Sequence, residues 1–231
     1  DIILLKQDLN VLHAGVLEGR RTFGNIMKYI MMGTSSNFGN MFSMAGAALF
    51  LPFLPMLPTQ ILLNNILYDI SEIPIPLDDV DAQETAQPRV LDLRFIRNFM
   101  LLIGPISSLF DFLTFYVLIE VLKAEEKLFQ TGWFVESLCT QVLVIFVIRT
   151  RGNPFKSKPH PLLALTSIAI VVTAIVLPLT PLGMYFGFVA PPARFYGILA
   201  IMVMAYLCIV QMGKQLFYRY AINHASRGSV R

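Results

Sequence analysis

Apolar positions run almost unbroken through six stretches of this chain, near 29–50, 57–77, 97–121, 132–149, 162–178 and 195–217, with polar and charged residues collected between them. These runs lack the alternation of a half-buried strand and are broader than the stripe of a soluble amphipathic helix. Each predicts a helix able to cross a bilayer, for which about 20 apolar residues suffice. No Asp, Glu, Lys or Arg occurs over 29–68, 98–110, 162–193 or 195–213. No two stretches show a convincing repeat. The expected fold class is therefore all-α, a polytopic membrane bundle of six transmembrane helices.

Composition agrees, because 55% of the 231 residues are hydrophobic and only 14% are charged, against about 25% charged in ordinary soluble domains. A net charge of +3 is too small to point to nucleic acid. The placement of the basic residues is more informative than their number. Lys6, Arg20, Arg21, Lys28, Arg89, Arg94, Arg97, Arg149, Arg151, Lys156, Lys158, Lys214, Arg219, Arg227 and Arg231 fall on one side of the six spans, and Lys123, Lys127 and Arg194 on the other. The richer side is cytoplasmic by the positive-inside rule, which puts both termini in the cytoplasm. Trp133, Tyr185, Tyr218 and Tyr220 stand where interfacial aromatic belts are expected. The amino terminus lacks the basic and apolar regions of a cleavable signal.

The first helix is predicted to be longer than a membrane needs. With Asn10 as N-cap and no proline over 11–50, it would run about 60 Å against a hydrocarbon core of about 30 Å. Its inner half, with Glu18, Arg20, Arg21 and Lys28, reads as a solvated cytosolic stalk; a separate amphipathic helix lying on the membrane is the alternative. The apolar run Asp1-Ile2-Ile3-Leu4-Leu5 reads as a strand. The expected organisation is the end of a cytosolic domain over 1–9, a stalk over 10–28, a six-helix domain over 29–221 and a cytosolic tail over 222–231.

Candidate chemistry lies inside the spans, where an ionisable side chain is costly and marks a site unless it is partnered. Asp69 stands about 18 Å along the second span, and Asn37 and Asn40 stand at a matching depth on the antiparallel first span. Asn65, Asp69 and Glu72 share one helical face, and Asn37 and Asn40 share another. Pro74 and Pro76 free the carbonyls of Ile70 and Glu72 nearby. Carboxylate, amide and carbonyl oxygens together suit a hard cation such as Mg²⁺, which keeps several of its waters. The competing reading is that the Asn side chains join helices by hydrogen bonds. Asp111 lies among Ser107, Ser108 and Thr114, where polar packing and a cation role are equally open. Gln141 is a further amide donor at depth, Tyr68 reads as a packing aromatic, and Glu136, three residues past Trp133, reads as a solvated interfacial carboxylate. Cys139 and Cys208 lie in apolar runs and read as buried hydrophobes, while His13, His160 and His224 are too scattered to suggest a metal site. No GxxxxGK[ST] loop, catalytic Ser/His/Asp grouping or Cys-x-x-Cys occurs, so the chain is not expected to hydrolyse a nucleotide by itself.

Several segments carry a resemblance: Ser35-Ser36-Asn37-Phe38-Gly39-Asn40, Leu51-Pro52-Phe53-Leu54-Pro55-Met56-Leu57-Pro58, Asn65-Ile66-Leu67-Tyr68-Asp69-Ile70-Ser71, Gly104-Pro105-Ile106-Ser107-Ser108, Gly132-Trp133-Phe134-Val135-Glu136 and Ile148-Arg149-Thr150-Arg151. Over nearly its whole length the chain resembles the carboxyl-terminal membrane region of bacterial magnesium-importing P-type ATPases. The resemblance implies the last six of ten helices, with 1–9 as the end of the phosphorylation domain. It also implies a parent protein that binds ATP and forms an aspartyl-phosphate upstream, in the bacterial inner membrane. The missing amino-terminal helices and cytosolic domains, the lipid bilayer and Mg²⁺ would be its partners. Against the calcium pumps of the same superfamily, Asn37, Asn65 and Asp69 fall on cation-ligand positions, whereas Asn40 replaces a glutamate and Tyr68 a threonine. The loss of a carboxylate argues against a two-calcium site. A self-contained six-helix channel or secondary transporter is the alternative.

Overall fold

The computed structural model describes residues 8–88 and 90–228, apart from the side chains of Gln83 and of 220–228. The expected strand at the amino terminus lies outside the described residues. Among the described residues the chain is all helical. Helix α1 (Leu9–Ala47) is followed by α2 (Pro58–Glu72), the short α3 (Ala82–Thr85), α4 (Leu93–Tyr116), α5 (Glu126–Leu143), α6 (Ile145–Ile148), α7 (Pro161–Val176), the short α8 (Pro181–Tyr185) and α9 (Ala193–Gly228).

Local chemistry sets these boundaries. Helix α1 starts from Asp8, whose side chain accepts from Asn10 N, so the cap is Asp8 and not Asn10. Its 39 residues make a rod of about 58 Å, stopped ahead of Pro52 and Pro55. Pro58 occupies the first turn of α2, where a missing N–H costs nothing. The candidate span 57–77 breaks at Glu72 and resumes as a 3₁₀ turn, Ile75–Leu77, because Pro74 and Pro76 end the helix instead of kinking it. The span placed at 132–149 begins earlier, at Glu126. That at 195–217 continues through Gly228.

Four helices among the described residues are long and apolar enough to cross a membrane: Leu93–Val121, Glu126–Ile148, Pro161–Leu179 and Ala193–Arg219. The outer faces of α7 and α9 expose Leu165, Ile168, Val172, Ile201, Met204 and Leu216. Such unbroken apolar surface is stable against lipid and not against water, so the chain is a membrane protein. Helix α5 is the centre of the bundle and packs against α2, α4, α7 and α9, while α1 lies along α4. Trp133, expected at the interface, is buried in this core and meets Phe115 edge-on with ring centroids 5.0 Å apart.

The α1–α4 contact depends on small residues. A Cβ on Gly39 would stand 3.2 Å from the Gly104 carbonyl oxygen and 3.1 Å from Ser107 Cβ, so the two backbones approach as closely as glycine allows. Gly39→Leu is therefore expected to push α1 off α4 at a cost of about 1–3 kcal/mol or more. A thermal midpoint in detergent equal to that of the unsubstituted protein would contradict this.

Candidate functional site

The polar residues of α1 and α2 divide into two groups. Toward the carboxyl-terminal end of α2, Asp69 and Glu72 line one cleft of about 530 Å³ together with Thr22, Asn25, Tyr29 and Pro76. Asp69 is exposed to this cleft, whereas Glu72 and Asn25 are buried in its wall. Tyr68 turns inward, as expected of a packing aromatic; its hydroxyl lies 3.3 Å from Ser36 Oγ, one turn before Glu72 on α2. Two oxygens in the wall, Glu72 Oε1 and Asn25 Oδ1, have no hydrogen-bond partner. Asn25 is held by its other end, for Nδ2 donates to the carbonyls of Pro76 and Asp78 at 3.0 Å each. Its oxygen is therefore fixed in place. A buried oxygen without a donor is costly, and a cation or its water would satisfy both. Asn25 escaped the sequence reading because it lies in the part of α1 assigned to a solvated stalk.

The second group is centred on Ser137 of α5. Its hydroxyl donates to Asn40 Oδ1 at 3.3 Å and receives from Gln141 Nε2 and, at 3.4 Å, from Asn64 Nδ2. Asn40 and Gln141 are thus brought together through Ser137, and Asn64 joins them although its neighbour Asn65 was the expected donor. Asn37 and Asn65 lie on exposed surface of α1 and α2. The direct contact between α1 and α2 at this level runs through Ser36 and Tyr68, not through the Asn faces.

Asp111 belongs to neither group. Its Oδ2 accepts from Ser43 Oγ and its Oδ1 from Trp133 Nε1 at 2.8 Å, which sets it beside Glu136, one turn further along α5. Glu136 is only 1% exposed, so the expectation of a solvated interfacial carboxylate is overturned. The helix begins at Glu126, which puts Glu136 about 15 Å along it.

Below the cleft the structure holds a cluster of charges that spacing along the sequence could not reveal. Asp78, fully buried, accepts from Arg149 Nε and Nη2 at 2.9 Å each, from Lys28 Nζ at 2.9 Å and from His160 N at 3.1 Å. Lys28, expected on a solvated stalk, is 3% exposed. Burial pushes the Asp78 carboxyl up, but the hydrogen bonds and charges of Arg149 and Lys28 outweigh this and hold it below the usual carboxylate range. Arg20 donates to the carbonyls of Thr85 and Ala86, and Lys214 Nζ to those of Val147, Thr150 and Gly152. The α2–α4 connection is thus fastened to α1 through Lys28 and Arg20 and to the end of α6 through Arg149, while Lys214 ties α9 to that same end.

A family model described as cation transporting ATPase, C-terminus, matches residues 53–216. The chain is 44% identical over 225 residues to a protein named magnesium-transporting ATPase, P-type 1, from Escherichia coli (strain K12), and equally to one of that name from Salmonella typhimurium (strain LT2). The alignment takes in 95% of this chain and 25% of each relative. The chain thus spans about a quarter of the length of the curated relatives it matches.

Proposed function

We propose, since this chain belongs to the cation-transporting ATPase family through its carboxyl-terminal region, that it is the six-helix membrane domain of a P-type ATPase importing Mg²⁺ into the cytosol. The observation that carries the reading is the cleft in which Asp69, Glu72 and Asn25 present oxygen, with Glu72 Oε1 and Asn25 Oδ1 unpartnered. Its ligand chemistry is hard and its size is ample. Six waters at about 30 Å³ each occupy roughly a third of about 530 Å³, so Mg²⁺ can enter with most of its hydration shell.

In this reading Asp69 is the charged ligand, Asn65 and Asn37 complete the site from exposed faces of α2 and α1, and Glu72 contributes directly or through water. Asn40 and Gln141, linked through Ser137, line the continuation of the path. The relatives are about four times longer, which leaves room for amino-terminal helices to cover Asn37, Asn65 and Asp69 and for cytosolic domains that bind ATP and form the aspartyl-phosphate. Helix α1 acts as the stalk over 10–28, and 1–9 ends the phosphorylation domain. The six spans fill 29–221, with 222–231 as a tail and both termini on the cytoplasmic face of a bacterial inner membrane. A rod anchored on α4 transmits cytosolic rearrangement to Asn37 and Asn40, changing their position relative to Asp69 and so the affinity of the site.

The test is reconstitution of the full-length protein in sealed vesicles. ATP-driven Mg²⁺ movement that stops when ATP is withheld is expected. Equal Mg²⁺ flux without ATP would replace this reading with a channel or secondary transporter.

A further inference from the structure

Where α1, α4, α5 and α9 meet, the bundle buries two carboxyl groups against each other. Asp111 of α4 is 2% exposed and Glu136 of α5 is 1% exposed. Trp133 Nε1 donates to Asp111 Oδ1 one turn before Glu136 on α5, which brings the two carboxyl groups close enough to act on each other's charge. Ionised carboxylates are acceptors only, so a hydrogen bond between two carboxyl groups requires a proton on one of them. Its location follows from the other donors. Asp111 already accepts from Ser43 Oγ of α1 and from Trp133 Nε1 of α5, which favours its ionised form. Glu136 Oε2, by contrast, is buried with no partner, which disfavours a charge there.

Among the described residues no cation pairs with either carboxyl group. Tyr206 of α9 and Cys139 of α5 face the pair, and α1 contributes Ser43. The ion pairs among the described residues lie elsewhere, at Arg21–Asp79, Lys28–Asp78, Lys123–Glu120, Arg149–Asp78 and Arg151–Glu84. Two bare carboxylates in contact here would repel each other in a medium that screens poorly.

We propose that Asp111 and Glu136 form an intramembrane proton-binding site in which Glu136 carries the proton and donates it to the Asp111 carboxylate. Its ligand is a proton and not a divalent cation, since each Asp111 oxygen already accepts one hydrogen bond, from Ser43 or Trp133, and the acceptor capacity left suits one further O–H and not a hydrated ion. The site is separate from the Asp69 cleft and does not depend on the reading of that cleft. It shares two helices with the transport path, however. Ser43 lies one turn beyond Asn40 on α1, and Glu136 adjoins Ser137, to which Asn40 is bonded. A shift of α1 relative to α5 would therefore alter Asn40 and the acceptor strength of Asp111 together. Loss of the proton breaks the Glu136 O–H bond, leaves two adjacent carboxylates and releases H⁺.

Infrared spectroscopy of the full-length protein in detergent tests the site without reference to transport. The wild type at neutral pH is expected to show a protonated-carboxyl C=O band that moves to lower frequency in D₂O. Glu136→Gln should abolish that band. Asp111→Asn should retain it at higher frequency, because an amide is a weaker acceptor than a carboxylate, and Asp69→Asn should leave it unmoved. A wild type without such a band, or a band unaltered in Glu136→Gln, overturns the proposal. If Glu136→Gln does not fold, Ser43→Ala and Asp111→Asn decide: a shifted band in either supports the site, and an identical band in both rejects it.

Discussion

Asp69→Asn in the full-length protein is expected to abolish Mg²⁺ transport while leaving the thermal midpoint unchanged. Asp69 is exposed on the cleft wall, and no packing is lost when an isosteric amide replaces it. Charge alone is removed. A unit negative charge about 4 Å from a divalent cation contributes roughly 8 kcal/mol of gross attraction at an effective dielectric of about 20, much of it offset by desolvation. A residual loss of only about 3 kcal/mol would still weaken binding more than a hundredfold. The measurements are uptake by cells lacking other Mg²⁺ transporters and thermal unfolding of the purified variant. Wild-type uptake by Asp69→Asn would remove the cleft from the transport path.

Asp78→Ala is expected to have the largest effect on stability, about 3–5 kcal/mol. It leaves Lys28 and Arg149, both 3% exposed, buried without their counter-charge. Arg149→Met should cost less, because Asp78 keeps Lys28 and the backbone N–H of His160. The ordering of the two melting points is the test, and a milder Asp78→Ala would refute it. A pH dependence follows from the same contacts. The Asp78 carboxyl is held below its ordinary range, so its contribution is fully present above the ordinary carboxylate pKa of about 3.9. It is lost as pH falls from there through the depressed value. Melting from neutral to mildly acidic pH should therefore show no transition from this group.

The fold was largely legible because membrane helices announce themselves by length and apolarity, and the misplaced boundaries have local causes. The break at Glu72 needed weight on Pro74 and Pro76 as terminators. Glu136 is deeper than its sequence neighbourhood suggests, because Trp133, a residue type typical of the interface, is itself buried. Its indole donates to Asp111, and the helix starts at Glu126, so depth counts from there and not from Trp133. Asn64 and Asn65 adjoin in sequence, and helical spacing alone does not say which faces the core. The answer depends on where α5 lies. Lys28 and Arg149 look in sequence like ordinary basic residues at the ends of spans, yet both are buried. Their common partner is 50 residues from one and 71 from the other, beyond any local pattern. What the sequence did yield at the site was the pairing of Asp69 with Glu72, since a periodicity of 3.6 survives even where neighbouring helices are not known.

The Asp78 cluster also bears on the order in which the chain is made. Lys28 and Asp78 leave the ribosome first, and Arg149, which supplies two of the hydrogen bonds to Asp78, follows 71 residues later. Until α6 has been inserted, the turn after α2 is secured to α1 alone, and one side of a buried acid faces water or lipid. Completion of α6 therefore serves as a latch on α1 and the turn after α2, and a chain that ends before Arg149 leaves Asp78 with only part of its counter-charge.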